Sequence, residues 1–439
     1  MDDSRRVSLL LGLLFGLAGM GSSSAAVALP LMADDLGVGV GVGAWTISLY
    51  VLMLAVTTAV YGRVSDLVGI RLPLIFGVGL MTTGALVAAF APNFGTLLVA
   101  RMFQGAGAAA VPTLGVALLS ARYAGESRGL ALGRLAGMAA AVSCLGPFIG
   151  GAVENALGWR AVMALPILGA LVVPFLWRTL AGGGSGARLD FVGAILVAAT
   201  AGGVVLLVQS PTTGAAVAVL GLLLVLLGAP AVAFRVKHKP CGFLPRSVVR
   251  NGTVVRSALA AAAVPAAWFA LLIAVPAVLV GDGWEAWQVG LLLIPSAAFA
   301  LIVPRFVGPL LMRIGAPGVL AVSGLTASMA LVLAAFGTAL LLPVLLAISV
   351  SMVTVAFGLG QPAMSAAVGD AVHIDVRGVA LGVATLLFLV GGSVGSAVVA
   401  GLGDVIGVPA SVGVLAVLPL LGLAALVPEL QRTRVLARA

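Results

Sequence analysis

Charged side chains are scarce in this chain, since only 8% of its 439 residues are Asp, Glu, Lys or Arg. Soluble domains carry roughly a quarter, so these charges are too few to solvate the water-exposed surface of a protein this long. Hydrophobic residues make up 62% of the sequence, and the mean hydropathy is +1.25. The composition therefore excludes a soluble domain and predicts an integral membrane protein.

Cysteine and histidine are also rare, with two residues of each type. Cys144, Cys241, His238 and His373 stand singly and lack the spacing of a metal site. Because Cys144 lies in an apolar run and Cys241 in a basic segment, a disulfide between them has no support. We expect no metal, no redox chemistry and no cofactor.

Basic residues exceed acidic ones, and the formal net charge of +9 would suit a protein that binds nucleic acid. Here the basic residues flank apolar segments and form no stripe on a soluble face, so we expect no nucleic-acid partner. Residues 1–6 include Arg5 and Arg6, and the apolar run behind them, residues 7–32, is longer than the core of a cleavable signal peptide. We expect that run to be a retained first helix.

Apolar runs of about 20 residues, the length that crosses a bilayer, recur about fourteen times. The predicted spans are residues 7–32, 43–62, 72–91, 95–120, 128–153, 159–178, 191–209, 214–234, 256–281, 286–311, 317–337, 341–366, 378–402 and 409–428. With the N-terminus inside, the predicted outer loops contain one basic residue, Arg160, and this asymmetry follows the positive-inside rule. We expect an all-α, multi-pass protein of the cell membrane with both termini in the cytoplasm.

An internal repeat indicates how the spans are grouped. Residues 126–133 reappear as residues 375–382, a shift of 249 (375 − 126), and Gly69 recurs as Gly315, a shift of 246 (315 − 69). Eight predicted helices separate the two copies, so both copies have the same orientation, as parallel repeats require. We predict two parallel six-helix bundles with two additional helices inserted between them.

The chain divides accordingly into four predicted parts. These are an N-terminal six-helix bundle (1–179), a glycine-rich linker with the two additional helices (180–234), a basic cytoplasmic loop (235–255) and a C-terminal six-helix bundle with its tail (256–439). The glycine-rich linker is flexible by composition, and the basic loop suits anionic lipid head groups. Two parallel bundles imply a central cavity that opens to one side at a time, which is the geometry of a transporter.

A ten-residue motif, GRVSDLVGIR, links the predicted second and third spans. Gly62 lets two helix ends approach closely, and Gly69 permits a tight reversal. Asp66 can sit at a neighbouring helix N-terminus, where an anion gains about 0.3–1 kcal/mol, or pair with a nearby arginine. We interpret Gly62, Asp66, Gly69 and Arg71 as a conformational latch, and the alternative is an ordinary turn. The second copy has Met312 where Asp66 would fall.

Arg101 lies inside the predicted fourth span, in the string RMFQGAG. An arginine this deep costs at least about 2.5–3.5 kcal/mol on insertion scales, so it needs a partner or a task. One interpretation is that it snorkels to the outer surface. The other is a fixed cation that lowers the pKa of a nearby acid and releases its proton. Gly105 and Gly107 would let a neighbouring helix pack closely.

A compact string, GPFIGG, lies in the predicted fifth span. Pro147 removes a backbone hydrogen bond and bends the helix. Gly146, Gly150 and Gly151 leave a flat surface against which another helix can pack and slide. We predict a hinge at these residues, and the alternative is a helix that is merely kinked.

These three strings, in this order, resemble the signature motifs of the major facilitator superfamily. The string GPFIGG looks like the motif of its drug:proton antiporters, and ALP at 28–30, WTISLY at 45–50 and GWR at 158–160 are similar to that group. The resemblance covers the whole chain, and the inserted helix pair resembles the fourteen-helix branch. It implies a proton-coupled exporter of small hydrophobic drugs or antibiotics, which is not an enzyme. We expect it to function as a monomer.

The chain departs from the family pattern in its first helix. Many fourteen-helix exporters carry an acid there, and the matching position here is Gly21. Because no Asp or Glu falls at mid-membrane depth, a cationic drug would lack a buried counter-charge, and neutral or anionic substrates are favoured. Asp34 and Glu154, at the outer ends of the first and fifth spans, are the candidate proton carriers beside Arg101.

Polar or aromatic residues of inward-facing helices are candidates for the substrate cavity, namely Tyr50, Gln104, Trp268, Thr354 and Gln361. Each also suits helix packing, because polar residues join membrane helices. An uptake symporter on the same fold is the alternative function, and GPFIGG argues against it. A membrane-embedded enzyme would need a cluster of His, Asp, Glu or Cys, and the sequence offers none.

Overall fold

The computed structural model describes residues 3–123, 125–177, 179, 190–239, 242–373 and 377–436, and the regular elements of these residues are helices. The predicted linker at 180–189 lies outside the described residues. The helices are α1 (Asp3–Asp35), α2 (Val40–Gly43), α3 (Trp45–Val68), α4 (Arg71–Ala89), α5 (Phe94–Ala108), α6 (Ala110–Arg122), α7 (Gly125–Cys144), α8 (Gly146–Leu157), α9 (Trp159–Ala164), the 3₁₀ helix η1 (Leu165–Val172), α10 (Val173–Leu176), α11 (Phe191–Thr213), α12 (Ala215–His238), α13 (Arg246–Val249), α14 (Gly252–Gly281), α15 (Ala286–Leu292), α16 (Ile294–Ile302), α17 (Pro304–Ala339), α18 (Pro343–Asp370), α19 (Arg377–Ile406), α20 (Val408–Leu415) and α21 (Val417–Leu436).

The predicted count of fourteen membrane spans is not confirmed. Among the described residues, twelve helices are long and apolar enough, by length and composition, to cross a membrane. Two further apolar helices, Val192–Val208 and Ala286–Ile302, are shorter. They lie where the sequence predicts the seventh and tenth spans. The all-helical architecture agrees with the sequence-based prediction, whereas the described residues contain twelve candidate spans in place of the predicted fourteen.

Prolines and one glycine divide the region of the predicted tenth span. The helical hydrogen-bond pattern is interrupted for one residue at Leu293 and at Val303, near Pro295 and Pro304, because proline lacks an amide hydrogen. Both residues keep right-handed helical backbone angles, with φ and ψ of −91° and −4° at Leu293 and −53° and −42° at Val303. Further on, α17 is interrupted at Gly315, whose φ of 71° and ψ of 167° are not helical. Residues 286–311 therefore comprise α15, α16 and the start of α17 instead of one continuous helix.

Backbone geometry carries the same internal repeat as the sequence. Gly69 and Gly315 have φ angles of 79° and 71°, and both end a helical segment. Only glycine adopts such angles without strain. Two more pairs of glycines with positive φ lie at nearly the same separation, 246 residues (283 − 37) and 249 residues (407 − 158), namely Gly37 with Gly283 and Gly158 with Gly407. Gly214, which joins α11 to α12, has no such counterpart among the described residues.

A contact between helix ends is repeated as well. Arg122, at the end of α6, pairs with Asp3 in the first turn of α1 at 2.9 Å. Asn251, just before α14, donates to the backbone oxygen of Ala371, just after α18, at 2.8 Å. The partners are 119 and 120 residues apart in the two cases. Turns and end contacts therefore recur along the chain at the same separation as the sequence repeat.

The chain forms two compact units. The first contains Met1–Leu189 and Leu279–Leu301, and the second contains Asp190–Val278 and Ile302–Ala439. In the first unit, α1 is buried along most of its length and packs against α7, α8 and η1. The predicted domain at 256–439 therefore contributes a short segment, which includes α15, to the unit built from the N-terminal helices.

Asp190 connects three segments of the second unit. Its carboxylate pairs with Arg235 at the end of α12 at 2.5 Å and accepts hydrogen bonds from the backbone of Gly193 at 3.2 Å and Phe243 at 3.1 Å. The guanidinium of Arg235 and these two amides lower the pKa of Asp190 to about 2, although partial burial opposes the shift. The contacts fix the start of α11 to the end of α12 and to the basic segment that follows.

Replacing Asp190 by Asn tests this connection. We expect the melting temperature of the purified protein to fall by several degrees, equivalent to roughly 1–2 kcal/mol. Because pairing with Arg235 and the two backbone hydrogen bonds lower the folded-state pKa to about 2 from 3.8, the stabilisation is present above the unfolded value and is lost as the pH falls through about 2. The difference between wild type and variant is therefore constant from about pH 5 to pH 8.

The matched control is Asp282→Asn, which changes an exposed acid that forms no ion pair in the described part of the chain. This variant should melt with the wild type. A difference between Asp190→Asn and wild type that shrinks between pH 7 and pH 5 would contradict the assignment.

Candidate functional site

Helix α5 is held between α3 and α4 by contacts of glycine with backbone. A Cβ atom at Gly105 would overlap the backbone oxygen of Tyr50 on α3, and one at Gly107 would overlap the backbone of α4. At Gly84 of α4, a Cβ atom would come within 2.6 Å of the Gln104 amide nitrogen. The close approach predicted for Gly105 and Gly107 therefore occurs, and it buries whatever side chains α5 presents to its neighbours.

Arg101 is one of those side chains, and it is fully buried, with 0% of its surface exposed. Its Nε donates to the backbone oxygen of Thr46 at 2.9 Å, and its Nη1 donates to Oε1 of Gln104 at 2.5 Å. The guanidinium carbon lies 4.4 Å from the centre of the Tyr50 ring, within the range of a cation–π interaction. The structure contradicts snorkelling, because Arg101 is enclosed by α3 and by its own helix.

The polar atoms of this cluster are only partly paired. Nη2 of Arg101, Nε2 of Gln104 and Nε1 of Trp45 are buried and have no hydrogen-bond partner among the described residues. None of the ion pairs in the described part of the chain includes Arg101. A buried cation without a counter-ion costs free energy, so this cluster makes an unfavourable electrostatic contribution to the folded state.

Two of the predicted cavity residues belong to this cluster. Tyr50 is 1% exposed, and its hydroxyl donates to the backbone oxygen of Ala18 at 2.6 Å. Gln104 is completely buried and holds Arg101. Both side chains are therefore enclosed in this structure and line no open cavity.

The other three cavity candidates lie in the second unit. Trp268 and Phe357 have ring centres 5.9 Å apart, and they form an aromatic cluster with Phe388. The hydroxyl of Thr354 donates to the backbone of its own helix at 2.8 Å. Gln361 is partly exposed on α18. The sequence signal for these residues was polarity or aromaticity at helical positions, which does not separate packing from ligand contact.

The GPFIGG string follows a one-residue interruption of a long helix, across which the hydrogen bonds from Leu145 N to Ala141 O at 3.0 Å and from Ile149 N to Leu145 O at 2.9 Å continue. α7 ends at Cys144 and α8 begins at Gly146, with Leu145 between them. A Cβ atom at Gly146 would overlap the hydroxyl of Ser23, and one at Gly150 would come within 2.6 Å of Cβ of Ser24. The interruption beside Pro147 agrees with a bend in the helix, and the string packs on α1.

The opposite side of α8 meets α15. A Cβ atom at Gly151 would overlap the backbone of Ala286, and one at Gly290 would come within 2.5 Å of Cα of Phe148. Glycine on each helix thus touches backbone on the other. Helix α15 starts at Glu285, which forms a capping box with Gln288. Sequence reasoning missed α15 as the partner of GPFIGG, because a contact between segments over 130 residues apart has no local signal.

The two candidate proton carriers lie away from Arg101's contacts. Asp34 is exposed at the end of α1, and Glu154 is partly exposed on α8, one turn beyond Gly151. The neighbouring acid Asp35 accepts from Nε1 of Trp159 at 2.9 Å and pairs with Arg160 at 2.8 Å. Sequence reasoning missed this role of Asp35, which connects the end of α1 to the start of α9.

The loop motif contains one turn and one aromatic contact that the structure describes. Gly69 ends α3 with a φ of 79°, and its amide donates to the backbone of Ser65 at 3.0 Å. Gly62 lies within α3, and the guanidinium of Arg71 stacks 3.8 Å above the ring of Trp177. The side chain of Asp66 lies outside the described residues, so the predicted latch stays a prediction.

Metal ligands are not grouped in the part of the chain that was searched. Among the described residues, no three His, Cys, Asp or Glu side chains lie close enough together to hold a metal ion.

Replacing Gly105 by Ala tests the packing around Arg101. Gly105→Ala would force α3 and α5 apart, because its methyl group meets the Tyr50 backbone. Overpacking of this kind costs about 1–3 kcal/mol, so we expect the melting temperature to fall by several degrees. Gly95→Ala on the same helix is the control, since its nearest atom would be Oδ1 of Asn93 at 3.5 Å. Equal melting temperatures for the two variants would contradict the packing.

Comparison with known proteins identifies the family. The sequence profile described as Major Facilitator Superfamily matches residues 11–396. The chain is 33% identical over 310 residues to the cephamycin export protein CmcT of Amycolatopsis lactamdurans, which covers 66% of this chain and 62% of that protein. It is also 34% identical over 183 residues to the uncharacterized MFS-type transporter EfpA of Mycobacterium tuberculosis, covering 41% of this chain and 34% of EfpA.

A third relative is the uncharacterized MFS-type transporter YwoD of Bacillus subtilis, which is 33% identical over 219 residues, or 47% of this chain and 48% of YwoD. The chain thus spans less than two thirds of the length of each of these relatives. The family match covers most of the chain and coincides with the helical architecture described above. The chain therefore belongs to the major facilitator superfamily, a family of membrane transporters rather than enzymes.

Proposed function

We propose that this protein is a proton-coupled antiporter that exports small hydrophobic drugs or antibiotics across the cytoplasmic membrane by alternating access. The observation that carries the proposal is the packing of GPFIGG, in which α8 touches α1 on one side and α15 on the other through glycines. The relative named as a cephamycin export protein supports the direction of transport.

The glycine contacts suit a joint that opens and closes. Interdigitated side chains must leave their holes before two helices can separate, whereas a contact of glycine with backbone has no such obstacle. Gly146, Pro147, Gly150 and Gly151 form the flat surface of α8, and the break at Leu145 lets α8 change its angle to α7. With the N-terminus in the cytoplasm, the α8–α15 contact lies near the outer surface and closes that side.

We infer fourteen membrane helices with both termini in the cytoplasm and a monomer as the working unit. The break at Gly315 supports this count, because it separates residues 304–314 from 316–339 within α17. Residues 286–314 would then form one irregular crossing, and α11 with α12 would form the inserted pair. The paired glycine turns described above support two six-helix repeats around that pair.

Proton coupling is assigned to Asp34, Glu154 and Arg101. Each proton that moves inward supplies about 2.3 kcal/mol per 100 mV of membrane potential. Glu154 suits this role best, because it lies one turn from Gly151 and its charge can act on the α8–α15 contact. Gly62, Asp66, Gly69 and Arg71 are proposed as the latch on the cytoplasmic side.

Substrate contacts are proposed for Tyr50, Gln104, Trp268, Thr354 and Gln361. Tyr50 and Gln104 are enclosed in this structure, so they would reach a substrate only in another state of the transport cycle. Their partner Arg101 favours neutral or anionic substrates over cationic ones.

A transport experiment tests the function and its direction. Expression in a host that lacks its own drug pumps should lower the accumulation of several hydrophobic antibiotics, and a protonophore should abolish the effect. Replacing Asp34 by Asn and Glu154 by Gln together should reduce efflux at least tenfold while the protein still reaches the membrane. Uptake into energised right-side-out cells, or efflux that survives both replacements, would contradict proton-coupled export.

A second experiment tests the α8–α15 contact. Gly151→Ala inserts a methyl group into the Ala286 backbone, so we expect the two helices to part and efflux to fall at least tenfold. A cysteine placed at Ala286, in a chain with Cys144 and Cys241 replaced, should then react faster with a maleimide that does not cross membranes.

The control for this experiment is Gly137→Ala, because a Cβ atom there would meet nothing within 4 Å. It lies on α7, on the other side of the break at Leu145. Unchanged maleimide labelling in Gly151→Ala, or equal loss of efflux in both variants, would exclude the joint.

A further inference from the structure

The buried guanidinium of Arg101 has no counter-ion in the part of the chain that the structure describes. The helices packed against α5 are α1, α3, α4 and α6. Their sequences contain acids only near the ends, at Asp3, Asp34, Asp35 and Asp66. Arginine remains protonated under all ordinary conditions, so the charge cannot be relieved by losing a proton. None of the described acids on these helices compensates the charge, which points to a counter-ion from outside the chain.

The acids at the helix ends have other partners or lie too far away. Asp3 pairs with Arg122, and Asp35 pairs with Arg160. Asp66 follows Tyr50 by 16 residues on α3 (66 − 50), which corresponds to about 24 Å along a helix. Asp34 is exposed at the end of α1.

Two unpaired donors lie within one hydrogen-bonded pair of side chains. Arg101 and Gln104 are joined through Nη1 and Oε1 at 2.5 Å, which leaves Nη2 of the first and Nε2 of the second buried without partners. A guanidinium with a free N–H group is a strong donor to carboxylates and other anions. An amide N–H beside it adds a second donor without adding charge.

Helix α1 leaves the neighbouring position without a side chain. A Cβ atom at Gly21 would lie 3.1 Å from Cγ of Pro166 and 3.4 Å from the hydroxyl of Tyr50, whose ring lies against the Arg101 guanidinium. A side chain at this position would point toward the cluster, and the chain places glycine there. The cluster is therefore built without an internal anion.

We propose that Arg101 and Gln104 form an anion-binding site, which takes either a carboxylate of the transported molecule or a small inorganic anion such as chloride. That the transported molecule supplies the anion rests on the proposed export function, whereas anion binding by Arg101 and Gln104 does not. The site is closed in this structure, because both side chains are completely buried. The anion is therefore taken up or released when α5 and its neighbours move apart.

Gln104→Glu is the sharpest variant, because it keeps the shape of the side chain and places a carboxylate on Arg101. The variant supplies an internal counter-ion, so it should fold and should no longer need an external anion. The control is Gln431→Glu, the same chemical change at an exposed position on α21. Arg101 itself is left unchanged, since its removal would also remove the contacts to Thr46 and Tyr50.

The binding experiment measures the melting temperature of the purified full chain against chloride and against acetate, at constant ionic strength set by a bulky sulfonate salt. A ligand that binds only the folded state raises the melting temperature in a saturable way. We expect a rise of several degrees in wild type and in Gln431→Glu, and no rise in Gln104→Glu. The site is overturned if the melting temperature of wild type responds to neither anion, or if that of Gln104→Glu responds like wild type. Water would then be its only occupant.

The transport experiment separates the two sources of the anion. Paired substrates are used that differ in one carboxylate, for example an acid and its methyl ester. If the substrate supplies the anion, Gln104→Glu lowers kcat/KM for the acid at least tenfold more than kcat/KM for the ester, and chloride competes with the acid in wild type.

Equal effects on acid and ester, together with the melting response, identify an inorganic anion as the occupant. A melting response without transport of any substrate would support the anion site and count against the export function alone. The two proposals can therefore fail separately.

Discussion

Contact between helix backbones through glycine is the constraint on which this structure depends. In lipid, helices satisfy their own backbone hydrogen bonds and gain little from burying apolar side chains against each other. Close van der Waals packing must then hold them together. Gly105 and Gly107 bring α5 against α3 and α4, and Gly391 and Gly395 bring α19 against the backbone of α14. Both compact units therefore contain helices that pack through contacts of glycine with backbone.

The same contacts carry the consequences for transport. The van der Waals attraction between two glycine-lined helix surfaces is strong only at close range, so a small separation of the helices loses most of it. In the function proposed here, the α8–α15 contact is a joint with two states, open or closed. The interruption of the helix beside Pro147 would let α8 change its angle to α7. Packing and motion thus depend on the same residues.

Charged side chains lie at different positions along the helices from the packing glycines. Ion pairs occur near helix ends, as in Asp190 with Arg235 and Glu429 with Arg256, where neighbouring backbone groups and water share the cost of burial. Arg101 is the contrasting case, since it lies within the helices, bound to Gln104 and beneath Tyr50, with one nitrogen unpaired. In the proposed anion site, this unpaired charge would offset part of the desolvation cost of an anion that reaches it.

The sequence by itself determined the solvent, the all-helical class, the family, and the positions of Arg101 and GPFIGG, because composition and local spacing along one helix encode these properties. It also located the turn at Gly69, since a positive φ selects glycine. It did not determine that the helical hydrogen-bond pattern of predicted span ten is interrupted at Leu293 and Val303, nor the number of crossings. Only the tertiary structure decided that α15 packs on α8 and that the Thr46 backbone and the Tyr50 ring enclose Arg101. Those contacts join residues distant in the chain, and distance in space is a property that local spacing does not carry.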